Sequence, residues 1–382
     1  MTRVADAVVS SSLLKACLGR VERARQAMSD AGLSAMLFTN AADVIWLTGT
    51  HGHDCHVLLL QERVVMLSDR RYEEYLAPWG ATGCFEIDLS PKTDQYERIK
   101  AIAAEAGIDA LGCQGEAISV SQEQSLAKAM QPLALRPCID LLESLRQRKD
   151  ELEIDACVRA IGIQHEALEA TLDAFEPGWT EARFAARLIE QMRVRGAEKE
   201  SFEPIIGTGA NSSVIHHIPG DTVIEPGILL VDWGARVDSR CSDLTRTLFL
   251  GESPGHLVEL FGIVEAAHRA AVDACAPGVK AKDIDAAARR VIDDAGYGEQ
   301  FPHGVGHGLG LDVHETPFMG RKTETATLAP GMIVTIEPGI YLPGIGGVRI
   351  EDDVLIIDDG HRVLSSAVPR DLSWSTRAFP GG

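Results

Sequence analysis

The sequence has no apolar run approaching the length of a membrane helix, no CxxC pair or other zinc-type cysteine spacing, no repeat of short period and no surplus of basic residues. The first absence argues against a spanning segment. Met1 to Cys17 is interrupted by Asp6 and Lys15, so no signal peptide is expected. Eight scattered cysteines (Cys17, Cys55, Cys84, Cys113, Cys138, Cys157, Cys241 and Cys275) predict reduced thiols and a cytoplasmic location, not a disulfide framework. With 56 acidic residues against 36 basic ones and a formal charge of −20, neither nucleic acid nor an anionic membrane is an expected partner. What is present is ordinary: 45% hydrophobic and 24% charged residues over 382 positions describe a soluble globular chain long enough for two domains.

The chemistry concentrates between Val231 and Glu351. Leu230-Val231-Asp232-Trp233 and Asp243-Leu244-Thr245-Arg246-Thr247 read as strands. A turn centred near Val237 and Asp238 sets Asp232 opposite Asp243, on one face of the hairpin. Downstream, Thr335-Ile336-Glu337-Pro338-Gly339 and Gly347-Val348-Arg349-Ile350-Glu351 flank a loop centred near Gly344, so that Glu337 faces Glu351. Two carboxylate pairs sharing a site repel unless cations neutralise them, and two divalent ions roughly 3.5 to 4 Å apart would do so. In His303-Gly304-Val305-Gly306-His307-Gly308-Leu309-Gly310, alternate glycines permit close backbone approach and leave His307 free to complete the cluster. Oxygen-rich ligation with one imidazole suits manganese first, with cobalt, iron or zinc as alternatives.

With the longer motifs Gly306-His307-Gly308-Leu309-Gly310-Leu311-Asp312-Val313-His314-Glu315 and Ile336-Glu337-Pro338-Gly339-Ile340-Tyr341, the chain resembles the pita-bread metallopeptidases. It is most similar to their proline-peptidase branch, the Xaa-Pro aminopeptidases and Xaa-Pro dipeptidases. The resemblance implies a small creatinase-like amino-terminal α/β domain, then a pita-bread α+β catalytic domain with an internal pseudo-twofold. It implies two divalent metal ions per subunit on Asp232, Asp243, His307, Glu337 and Glu351, a small peptide substrate and a homodimer. His216, His303 and His314 match histidines that contact substrate in this branch. A hydroxide bridging the metals would attack the scissile carbonyl, with His314 or His216 donating to the oxyanion and Glu337 shuttling the proton. Arg349 shares a strand with Glu351 and is placed to hold a carboxylate of substrate or ligand.

Before the catalytic region, Leu18 to Ala31 reads as a helix stopped by Gly32. Leu33 to Thr39 reads as a strand, Val44 to Leu47 approaches another, and Val57 to Leu60 with Val64 to Leu67 form a hairpin. Trp46 stands where the family more often has tyrosine. The cluster His51-Gly52-His53-Asp54-Cys55-His56 lacks a regular face, so no metal is expected there; the resemblance makes it a loop lining the substrate entrance. The polar run from Glu143 to Asp150 marks a boundary between domains 1–145 and 146–382, and its Arg146, Arg148 and Lys149 read as a solvated face. The second domain repeats itself: Pro177-Gly178 leads a helix ending at Gly196, Pro277-Gly278 one ending at Gly296, and Pro226-Gly227 and Pro330-Gly331 lead the strands that carry Asp232 and Glu337.

Arg240 replaces a frequent tyrosine and Ile215 a frequent proline, both expected on the substrate side, and His217 leaves open which imidazole takes the role of His216. The expected activity is metal-dependent hydrolysis of the bond between an amino-terminal residue and proline. Non-peptide C–N hydrolysis of the creatinase or ectoine-hydrolase type, a metal-dependent lyase and a catalytically dead binding protein are the alternatives. The first and last commonly lose metal ligands, whereas all five positions are filled here.

Overall fold

The computed structural model describes residues 9–50, 54–321, 323 and 326–380, and the chain divides after Arg146 into two units. His51 and His53 of the polar loop lie outside the described residues. No described helix is long and apolar enough to cross a membrane.

The first unit contains helices α1 (Ser11–Asp30), α2 (Ala41–Thr48), α3 (Glu73–Ala81), α4 (Gln95–Glu105), α5 (Val120–Met130) and α6 (Glu143–Arg146). Its strands are β1 (Ala35–Phe38), β2 (His56–Leu60), β3 (Val64–Leu67), β4 (Glu86–Asp88), β5 (Ala110–Gln114) and β6 (Ala134–Cys138), in the order β4-β3-β2-β1-β5-β6. The hairpin pairs β2 and β3 antiparallel, while β5 joins β1 and β6 in parallel. Helix α1 starts well before Leu18 because the Ser10 hydroxyl accepts the Leu13 N–H and caps it. The stretch Val44 to Leu47, expected as a strand, lies within α2. The Asn40 side chain accepts the Ala42 N–H at one end and Gly49 turns left-handed (φ 71°) at the other, so capping overrides β propensity.

In the second unit the helices are α7 (Glu151–Asp173), α8 (Glu181–Val194), α9 (Gly255–Ala274), α10 (Ala281–Asp294) and α11 (Leu372–Ser375). The strands of its first half are β7 (Lys199–Glu200), β8 (Ile205–Thr208), β9 (Gly227–Trp233), β10 (Ala235–Val237), β11 (Arg240–Cys241) and β12 (Leu244–Leu250). Those of the second are β13 (Gly306–Gly308), β14 (Glu315–Met319), β15 (Ile333–Ile336), β16 (Gly339–Leu342), β17 (Gly346–Arg349), β18 (Asp352–Ile357) and β19 (Gly360–Val363), with β20 (Thr376–Arg377) returning to β12.

The internal repeat is visible in detail. Helices α8 and α10 both follow a left-handed glycine (Gly178 φ 86°, Gly278 φ 84°) and both end before another (Gly196, Gly296). Isolated bridges Thr180 to Val223 and Lys280 to Thr327 fasten the two helix starts alike. Each helix pair covers its own core. Phe184, Leu188 and Met192 of α8 pack with Leu229 and Val231 of β9, while Ile284, Ala288 and Ile292 of α10 pack with Val334 and Ile336 of β15. Truncating one such leucine or isoleucine to alanine costs about 2 to 5 kcal/mol.

The basic run before α7 is not uniformly solvated. Arg146 donates to Asp43 Oδ1 at 3.1 Å, and Lys149, its side chain 1% exposed, donates to Glu315 Oε2 at 3.1 Å; only Arg148 is exposed. A carboxylate distant in sequence meets the half-buried Arg146 and the buried Lys149, a partnership that local charge patterning does not reveal. Of the eight cysteines, all without a disulfide, Cys84 and Cys138 are half-buried and the other six buried.

Candidate metal centre

The first carboxylate pair is set by the β9–β12 ladder, in which Thr245 lies opposite Asp232 and Leu244 opposite Trp233. The turn falls at Asp238-Ser239, both left-handed (φ 46° and 62°), one position later than the sequence suggests. Asp243 therefore does not face Asp232 directly but sits two residues from its true partner. A two-residue displacement preserves the side of the sheet, so both carboxylates still reach one cavity. The second pair is in the expected register. Ile336 faces Asp352 in the β15–β18 ladder and Gly339 faces Arg349 in β16–β17, which leaves Glu337 and Glu351 opposed between them. The Glu351 N–H donates to the Thr245 carbonyl at 3.1 Å, tying the two hairpins together.

His307 is the middle residue of β13. A Cβ on Gly306 would fall on the Thr335 carbonyl oxygen and one on Gly308 on that of Thr316, so glycine is required for this close strand packing. The His307 Nδ1 lies 3.0 Å from the Gly308 carbonyl oxygen and donates to it, which turns the Nε2 lone pair toward the acids. Nε2 is 3.8 Å from Asp243 Oδ2 and 3.4 Å from Glu337 Oε1. Donor atoms of Asp243, His307 and Glu351 all lie within 4.8 Å of one another.

The electrostatics of this cluster call for positive charge. Burial, then the neighbouring carboxylates Glu351 and Asp232, pushes Asp243 far above the usual carboxylate range. Burial, then Glu337 and Asp232, does the same to Glu351, and burial carries Glu337 up to about 7. Asp232 is also raised by burial although Arg349 opposes it, and its buried Oδ1 has no hydrogen-bond partner among the described residues. Four carboxylates, one of them with an orphaned oxygen, and one imidazole fit hard or borderline divalent cations.

The cluster forms the floor of a cavity of about 550 Å³ whose apolar walls include Phe202, Ile215, Val313 and Phe318. His216, His303, His314 and Arg349 line it too, so the structure brings together every candidate site residue named from the sequence. The His314 ring meets that of His307 edge-on, centroids 4.4 Å apart. His303 lies in a hydrogen-bonded chain. Arg349 Nη1 donates to the Tyr341 hydroxyl (2.9 Å), that hydroxyl donates to His303 Nε2 (2.9 Å), and His303 Nδ1 donates to the Gly304 carbonyl (2.8 Å). Burial, with Arg349 nearby, lowers His303 to about 4, which keeps the ring neutral as this chain requires. His217 is held by Glu181, its Nε2 2.7 Å from Oε2.

Arg240, expected beside the substrate, is buried against α7 instead, donating through Nε and Nη2 to Glu153 Oε1 at 3.1 and 3.0 Å. The salt bridge to α7 turns it away from the cavity wall. Sequence reasoning missed Tyr341 and Thr245. The Thr245 hydroxyl donates to Glu351 Oε2 (2.7 Å) and accepts from Arg349 Nε (2.9 Å). Strand alternation from Glu337 through Gly339 marks Tyr341; Thr245 becomes visible only once the hairpin register is known.

The profile of metallopeptidase family M24 matches residues 155–358, and that of the creatinase/prolidase N-terminal domain matches residues 20–148. The chain belongs to metallopeptidase family M24. Within that family, a protein named Xaa-Pro dipeptidase from Pyrococcus furiosus is 37% identical over 258 residues, which is 67% of this chain and 74% of that protein. Among solved structures, an Xaa-Pro dipeptidase from Bacillus anthracis superposes with a TM-score of 0.88 at 33% identity, covering 95% of this chain and 100% of that one. An X-Pro aminopeptidase from Thermotoga maritima gives a TM-score of 0.84 at 30% identity, covering 92% and 99%. The fold is thus the pita-bread catalytic domain preceded by a creatinase-type domain, and the cavity lies wholly within the metallopeptidase unit.

Proposed function

We propose that the chain hydrolyses the peptide bond between an amino-terminal residue and a following proline, in Xaa-Pro dipeptides or Xaa-Pro-Yaa peptides, with Asp232, Asp243, His307, Glu337 and Glu351 holding two divalent cations. The observation that carries this reading is the convergence of all five donors and three histidines on one cavity, in a metallopeptidase whose relatives include a named Xaa-Pro dipeptidase. When bound, the cations supply Lewis acidity and a water of lowered pKa.

The protein's own groups do the rest. His216 and His314 donate hydrogen bonds to the oxygen that gains charge as the carbonyl is attacked. Glu337 Oε1 takes the proton from the water and delivers it to the departing proline nitrogen. Arg349 keeps Asp232 in place, and neutral His303 steadies Arg349 through Tyr341. The apolar walls exclude water and strengthen these interactions. Manganese is the metal this reading favours, with cobalt, iron or zinc as alternatives. The cytoplasm is the location, in keeping with eight cysteines free of disulfides, and the assembly is a homodimer. The filled donor set favours a peptidase over non-peptide C–N hydrolysis, and the relatives favour it over a lyase.

The test is turnover of an Xaa-Pro dipeptide and an Xaa-Pro-Yaa tripeptide by chelator-stripped protein, before and after adding Mn or Co. Cleavage that returns with metal supports the proposal, and the preferred length distinguishes dipeptidase from aminopeptidase. Metal uptake without cleavage of either peptide refutes it.

A further inference from the structure

We infer that Glu181 is a positioning residue that sets His216 in the substrate cavity by capturing its neighbour His217; the inference rests on the reading of His216 as a substrate contact. Glu181 opens α8, and its side chain is 0% exposed. Four donors converge on it, one from Thr208 at the end of β8 and three from the segment that follows. Oε1 accepts the Thr208 N–H and the Asn211 side-chain amide, each at 2.9 Å. Oε2 accepts from His217 Nε2 at 2.7 Å and from the Gly220 N–H at 3.3 Å. Two backbone hydrogen bonds, Glu181 N–H to Thr222 O and Ala182 N–H to Gly220 O, both 3.0 Å, close the far end of the same segment.

Buried Ser212, which accepts the Gly347 N–H at 2.9 Å, holds the start of that stretch, and beyond it the side chains turn outward. Val214 is 51% exposed and Ile218 72%, so apolar burial contributes little between the anchors. His216 and His217 both line the cavity, and the bond to the buried carboxylate takes up the His217 ring while leaving that of His216 for substrate. The other half of the unit uses a related device. On α10, Asp285 Oδ1 accepts the Val305 N–H at 3.1 Å and pairs with Arg289, which donates to the His303 carbonyl at 2.8 Å. An acid on the inner helix of each half thus secures a segment bearing a cavity histidine.

A carboxylate can accept two donors at each oxygen, and an amide cannot. Glu181→Gln keeps the shape but turns an NH₂ group toward one of the two donor pairs, loosening that side. The experiment compares wild type, Glu181→Gln, His216→Ala and the double variant, all loaded with Mn, on an Xaa-Pro-Yaa tripeptide, together with hydrogen exchange of the same four proteins. Each single substitution is expected to lower kcat/KM about 10- to 100-fold, and the double variant to fall within about 3-fold of His216→Ala, since the two act through one contact. Whichever of the Thr208 and Gly220 amides the new NH₂ group faces should exchange about tenfold or more faster in Glu181→Gln, while β9 and β12 keep their protection.

Losses that multiply in the double variant, or unchanged exchange at both amides, overturn the inference. If Glu181→Gln does not fold, His217→Leu and His217→Gln ask the same question from the other partner: the leucine variant should lose activity and the glutamine variant, which can still donate to Oε2, should recover most of it. Equal loss in both refutes positioning through that hydrogen bond. A wild type that cleaves no Xaa-Pro peptide defeats the functional reading, while the exchange result still decides whether Glu181 anchors the segment.

Discussion

Arg349 donates from Nη2 to Oδ2 of Asp232 inside a buried pocket, leaving the other, buried oxygen of that carboxylate without a hydrogen-bond partner among the described residues. The guanidinium also donates from Nε to Thr245 and from Nη1 to Tyr341, so one planar group fixes a candidate ligand, a hydroxyl that supports Glu351, and the support of His303. Lysine can carry the charge but cannot hold three divergent partners. Arg349→Lys is expected to lower kcat/KM about 30- to 100-fold, equivalent to about 2 to 3 kcal/mol of transition-state stabilisation. Steady-state kinetics beside metal analysis checks this, because metal content should fall far less than activity.

Removal of metal should be legible in stability and in protons. Burial and mutual repulsion raise Asp243, Glu351 and Glu337, the last to about 7 from an ordinary 4.5, so the metal-free fold holds protons that the unfolded chain has released. A raised folded pKa contributes stability below the unfolded value and loses it as pH rises through the folded one. Chelator-stripped protein is therefore expected to lose stability between pH 4.5 and about 7. Adding Mn at about 100 times its Kd should restore about 2.7 kcal/mol and release protons, seen by calorimetry in buffers of different ionisation enthalpy. His307→Ala should abolish most of both effects.

His303 gives a pH dependence of opposite sign. Its folded value of about 4 lies below the ordinary 6.5, so its contribution is present above pH 6.5 and is lost as pH falls toward 4. The full effect is about 3 kcal/mol. Urea midpoints measured at pH 7, 5.5 and 4.5 should fall more steeply for wild type than for His303→Gln, which does not titrate.

Lys149, far in sequence from the catalytic motifs, is expected to have a large structural effect on one of them through its pair with Glu315. Glu315 Oε1 accepts the Leu311 and Asp312 N–H groups, at 3.0 and 3.1 Å, so the pair fastens the loop that carries His314. Lys149→Met removes the compensating charge and should cost about 3 to 5 kcal/mol. Lys149→Met combined with Glu315→Gln should recover part of that loss, which denaturant unfolding of the three variants measures.

The repeat of Pro-Gly helices and the order of the acidic motifs were legible because they depend on residue type and local period. Strand parity survived even where the turn was misplaced by one residue, since a displacement of two in cross-strand partner returns the side chain to the same face. Residue type alone favours a strand over Val44 to Leu47, and the caps at Asn40 and Gly49 are the local signal that makes it a helix. Arg240 and Lys149 were not legible at all: their partners Glu153 and Glu315 lie 87 and 166 residues away.

By itself, then, the sequence determined which groups share the cavity, because a pair of carboxylates on one sheet face needs only the two-residue period. Tertiary structure alone decided which atoms they face. Burial and long-range contact set the direction of each pKa, assigned His217 to Glu181 and turned Arg240 toward α7, and none of these follows from neighbours along the chain.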